Sequence, residues 1–109
     1  MPNTEKLPQA LNGEPVTADA IPAAVTAGTL RYDDGSVQIF NHDGSTTYTE
    51  NGKPTHGEWY VDEDGRFCSF WPPAYRACYT LTWLAENGTA TGLRFTEVNN
   101  GSRFDGRFQ

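Results

Sequence analysis

The chain has few of the residues that announce a chemistry or an address. Its 109 residues include only two cysteines, two histidines, one methionine, and eight lysines and arginines together. Cys68 and Cys78 do not form a Cys-x-x-Cys pair, and only His42 and His56 could complete a ligand set, so no metal site is expected. There is no Gly-rich phosphate loop, Ser-His-Asp order or paired-carboxylate spacing, and no cofactor is expected. No apolar run approaches the roughly 18 residues of a membrane span. The opening residues also lack the basic start and apolar stretch of a secretory leader, so membrane insertion is not expected. The few cations are scattered among fourteen acids, giving a net charge of −6. Phosphate backbones and anionic lipid surfaces repel such a chain, which excludes nucleic acid as an expected partner.

What is present is aromatic, turn-rich and β-branched. The length suits one domain, since two halves would each be too small to bury a sufficient core. Aromatic residues make up 13% of the chain, and each buried ring removes more apolar area from water than an aliphatic side chain. Asp34-Gly35, Asp43-Gly44, Asn51-Gly52, Asp64-Gly65, Asn87-Gly88 and Asn100-Gly101 punctuate the text after Gly28. Such pairs favour the positive φ of tight hairpins. Asn87-Gly88-Thr89 and Asn100-Gly101-Ser102 also match the glycosylation pattern, and are read as turns.

Between the pairs lie eight runs: 29–32, 36–40, 45–49, 57–61, 66–71, 76–83, 90–96 and 102–108. The expected fold is all-β, an antiparallel up-and-down meander of about seven to eight strands, curled strongly or closed into a small barrel. Residues 1–16, with three prolines and no periodicity, read as a mobile or loosely docked tail. Residues 17–109 form the domain, led by a short helix over about 18–27 with Pro22 in its first turn. Period-two alternation puts Phe67, Ser69, Trp71, Tyr79, Leu81, Trp83, Leu93, Phe95, Phe104 and Phe108 inside, with Arg66, Arg76, Arg94, Arg103 and Asp105 facing water.

If the strands flanking Trp71-Pro72-Pro73-Ala74-Tyr75 pair as a hairpin, Cys68 faces Cys78 and a cross-strand disulfide becomes available. The alternative is two reduced neighbours in a cytosolic protein. The stretch from Gly57 to Tyr79 carries Gly57-x-Trp59, Asp64-Gly65, Cys68, Trp71 and Cys78-Tyr79. In this it resembles small β domains of unknown function in proteobacterial exported proteins. The resemblance implies an envelope-type β domain with a Cys–Cys bridge, and no activity. The compartment is expected to be periplasmic or extracellular if a leader has been removed, and cytoplasmic if Met1 is the native start.

Three functions are open at this level. The first is a non-enzymatic binding or accessory domain, whose aromatic cup and rigid Trp71–Arg76 connection hold a small apolar or aromatic ligand or a protein partner. Trp59, Trp71, Tyr75 and Arg76 are its candidate binding residues. The second is a cofactor-independent isomerase, cyclase or lyase using His56, oriented by Glu58, or Tyr32 for proton transfer, with Arg31 or Arg76 holding an anionic substrate. The third is carbohydrate binding through exposed Trp59 or Trp71. His42 is explained by its turn. A monomer or an edge-strand homodimer is expected.

Overall fold

The computed structural model describes residues 8–109, and in it the chain closes on itself. Eight strands follow in order: β1 (Leu30–Tyr32), β2 (Val37–Phe40), β3 (Ser45–Glu50), β4 (Lys53–Val61), β5 (Phe67–Trp71), β6 (Tyr75–Glu86), β7 (Thr89–Glu97) and β8 (Arg103–Phe108). Each pairs antiparallel with the next, and β1 returns to β8 through Leu30↔Phe108 and Tyr32↔Gly106. The meander is therefore a closed barrel. Closure pairs every described strand on both sides over part of its length, and the first residues of β4, 53–57, extend past its pairing with β5.

The turns follow the sequence signal. Asn51-Gly52 and Asn87-Gly88 take positive φ at both central positions, with φ of 53° and 77° in one and 53° and 79° in the other, the geometry that matches strand twist in two-residue hairpins. In three of the longer turns a carboxylate takes over: Asp34 Oδ1 accepts from the Ser36 amide at 2.9 Å and its hydroxyl at 2.6 Å, Asp43 does the same for Ser45, and Asp62 Oδ1 accepts from the amides of Asp64 and Arg66. The prolines do not break the fifth hairpin. Trp71 stands opposite Tyr75, and the register carries down to Cys68↔Cys78, where the two sulfurs are joined in a disulfide.

The leading helix is shorter than expected. A 3-10 turn at Ala18–Ala20 leads into α1 (Ile21–Val25), with Pro22 at its start. Ile21, Ala24 and Val25 are buried and plug one end of the barrel against Leu30, Leu81 and Leu93. Part of the expected tail, residues 1–7, lies outside the described residues. The remainder, 8–16, is docked. Val16 N–H donates to the Leu81 carbonyl, Gly13 N–H to that of Trp83, and the Trp83 amide returns a bond to Glu14. Ala10 and Val16 are buried beneath this contact. Backbone bonds do not depend on side-chain period, which is why a segment without periodicity could hold its place.

Side chains alternate across the barrel wall as the sequence pattern requires, except that Phe104, expected inside, is 47% exposed at the start of β8 where the wall ends. Phe40, Phe67 and Phe95 meet at its centre, with ring centroids 5.6 Å, 6.2 Å and 5.5 Å apart. On the helix side of this aromatic layer the interior is filled. On the other side it is open.

Candidate ligand-binding cavity

The open half of the barrel is a cavity of about 460 Å³ whose mouth lies among the β1–β2, β5–β6 and β7–β8 connections. Its floor is the Phe40–Phe67–Phe95 layer. Its walls are Tyr32 of β1, Tyr48 of β3, Trp71 of β5, Tyr79 of β6 and Phe104 of β8, with Gln38 and Ser69 between them. Asp33, Asp34, Arg103 and Asp105 stand around the opening.

Two glycines make room for the wall. A Cβ at Gly57 of β4 would sit 2.5 Å from Trp71 Cε3, and one at Gly106 of β8 would sit 2.9 Å from Tyr32 Cε1. Both are far inside ordinary contact, so each ring leans into the gap left by a missing side chain. Tyr48 then bridges the two rings, 6.3 Å from Tyr32 and 6.4 Å from Trp71, with planes inclined at 49° and 72°. The result is a corner of three rings rather than a flat platform. Opposite it, Tyr79 packs edge-on to Phe104 at 6.3 Å.

The polar groups are ordered in one direction. Thr46 is buried, and its hydroxyl must donate to the Ile39 carbonyl at 2.8 Å, because a carbonyl only accepts. Thr46 Oγ1 therefore accepts from Gln38 Nε2 at 2.9 Å, which turns Gln38 Oε1 toward the Tyr32 hydroxyl, 2.8 Å away. Tyr32 must donate to it. Its proton is committed to the wall, and its oxygen is left as an acceptor.

Burial pushes the Tyr32 hydroxyl well above the ordinary tyrosine value, helped by the fields of Tyr48, Tyr79 and Asp34. Burial likewise pushes Tyr79 up to about 12, with smaller contributions from Tyr75 and Glu97 and opposed by a bond to Ser69. Both hydroxyls are neutral at physiological pH. The cavity lining, among the described residues, contains no histidine, lysine or cysteine.

The candidates named from the sequence are dispersed by the fold. Trp71 and Tyr32 reach the cavity. Trp59 does not: it is 8% exposed, packs on Phe40 and Phe67, and donates its indole N–H to the Asn41 carbonyl at 2.9 Å, so it offers no exposed platform for a sugar. Tyr75 is 56% exposed beside the β5–β6 turn. Arg76 lies on the outer wall, 4.7 Å over the Phe70 ring and 5.4 Å over that of Tyr60, whose hydroxyl it also bonds. His56 and Glu58 share the outer face of β4, where His56 Nδ1 lies 3.2 Å from the Thr47 hydroxyl. His56 and Tyr32 therefore sit on opposite sides of the wall and share no site. Arg31 is also on an outward position, and His42 is exposed in its turn. Gln38, Tyr48 and Phe104 were not singled out as site residues. The signal that could have found the site was glycine inside strands, at positions 57 and 106.

The Asp62 carboxylate and the sulfurs of Cys68 and Cys78 lie within 4.8 Å of one another on the outer wall. The sulfurs are spent on each other in the disulfide, which removes the thiolates a metal would need. No helix of the described residues is long and apolar enough to cross a membrane. Compared with protein-family models, curated proteins and solved structures, the chain matches none.

Proposed function

We propose that this chain is a non-enzymatic binding protein that holds one small molecule with an apolar or aromatic body in the open end of the barrel. The observation that carries the reading is the division of the interior. One half is filled to the plug of α1, while the other keeps a cavity of about 460 Å³ above a packed aromatic floor. A domain this small that fills half its barrel has not left the other half open through loose packing. The volume lies within the roughly 300–1,000 Å³ of small-molecule sites, and the lining has their usual composition of many rings and a few placed polar groups. Eight-stranded barrels are also just wide enough to hold one small ligand. The separation of His56 from Tyr32 and the neutral state of the cavity hydroxyls favour binding over proton transfer. The Cys68–Cys78 bridge supports an oxidising compartment, periplasmic or extracellular, and with it an exported domain of the envelope type.

The reading is tested by titrating small aromatic probes while following intrinsic tryptophan fluorescence, in the native chain and in Ser69→Leu. Ser69 is buried in the cavity wall, so a leucine there fills ligand space. The native chain should show a saturable change, and the variant should lose affinity by roughly tenfold or more while melting near the native temperature. A folded variant that binds as the native chain does would place the site elsewhere.

A further inference from the structure

We infer that the ligand of the cavity carries a positive charge: a small organic cation, an alkylated ammonium on an apolar or aromatic body, seated in the corner of Tyr32, Tyr48 and Trp71. The inference rests on the binding role proposed above and adds the ligand's charge to it. Three independent features point the same way.

The first is the wall. Ring faces are the negative ends of aromatic quadrupoles, and tryptophan and tyrosine are the strongest partners of a cation held near them. Tyr48 stands between the other two, 6.3 Å from Tyr32 and 6.4 Å from Trp71 and inclined to each, so the three rings turn a corner that can take a compact head group in a way a flat platform cannot. The second is the direction of the hydrogen-bond chain. Because Tyr32 donates to Gln38, its oxygen meets the ligand as an acceptor, which suits a cation and opposes an anion. The third is charge at the mouth. The rim holds three carboxylates, Asp33, Asp34 and Asp105, and the guanidiniums of Arg103, Arg94 and Arg107 stand beside them, so what bears on a ligand is which carboxylate lies outside an ion pair. Asp105 is taken up by a two-bond pair with Arg94, and Asp33 lies 3.3 Å from Arg107. Asp34 bonds only to Ser36 among the described contacts and keeps its charge. A net charge of −6 adds long-range attraction for a cation.

The discriminating experiment uses two probes of one shape, phenyltrimethylammonium and tert-butylbenzene, with benzoate as the anion, each titrated into the native chain at low salt. Removing a charge from water is costly, so a merely apolar cavity prefers the neutral isostere. The expected result is that phenyltrimethylammonium binds roughly tenfold tighter than tert-butylbenzene, with no saturable binding of benzoate. Asp34→Asn retains the side-chain oxygen that caps the turn, and should lower the preference for the cation over tert-butylbenzene by about threefold. Trp71→Leu, with folding checked by thermal melting, should remove most of the preference for the cation. Equal or tighter binding of tert-butylbenzene, or tighter binding of benzoate, would overturn the assignment of charge and leave the binding role standing. Failure of all three probes to bind would overturn both.

Discussion

Single residues decide whether the cavity exists. Gly57 is the clearest, because its missing side chain is the space in which the Trp71 ring rests and the Phe70 carbonyl approaches to 2.8 Å of where a Cβ would be. Gly57→Ala should cost about 1–3 kcal/mol, the usual range for overpacking, and should shift tryptophan emission as the Trp71 ring is displaced. Urea unfolding followed by fluorescence reads both, and a variant as stable as the native chain would show that the ring is not held there. Tyr79 gives a pH signature. Its folded-state value is raised from 10.0 to about 12 by burial, so the folded chain holds this proton to higher pH than the unfolded chain does. Stability should be level with respect to this group below about pH 10, fall between 10 and about 12, and fall less steeply in Tyr79→Phe. Denaturation midpoints across that window check the sign.

At the level of elements, the β5–β6 hairpin is the most constrained, because it is closed at one end by the Pro72-Pro73 connection and clasped by a disulfide between residues ten apart. On the chain-entropy model a loop of this length contributes up to about 3 kcal/mol. The double variant Cys68→Ala, Cys78→Ala should therefore unfold at lower denaturant by that order, as should the native chain after reduction. An unchanged midpoint would mean that strand pairing alone carries the hairpin. The bridge sits on the outer wall while Ser69 and Trp71 point inward from the same strand, so a chain that remains folded without it should bind its ligand as before. The segment 8–16 is an element of a different kind, since it holds by backbone bonds to β6 and β7 rather than by an apolar stripe. That is why the sequence, which carries no period there, left a mobile and a loosely docked tail as alternatives.

At the scale of the whole molecule, most of the architecture was legible. Asn-Gly and Asp-Gly pairs marked the turns, alternation assigned the faces, and pairing about the prolines set Cys68 against Cys78. Each of these is a local rule that the fold obeys locally. The site was less legible because a barrel assembles it from strands far apart in sequence. Tyr32, Tyr48, Trp71 and Phe104 come from four different strands, and no spacing along the chain relates them. Trp59 illustrates the same limit: it lies on an inward position like Trp71, but on the filled side of the Phe40–Phe67–Phe95 layer, and which side a residue occupies depends on strand stagger. Arg76 went to the outer wall by the parity that its alternation had indicated, which set it apart from the rings it was grouped with.

The central claim is that the open half of the barrel, not its outer wall, receives a ligand. The most direct test is amide chemical-shift mapping of the uniformly labelled chain titrated with phenyltrimethylammonium and tert-butylbenzene. The expected result is a saturable set of shifts centred on Tyr32, Gln38, Tyr48, Ser69 and Tyr79, with the outer-wall positions His56, Tyr60 and Arg76 unmoved. Shifts that do not saturate, or that gather on the outer wall, would contradict it.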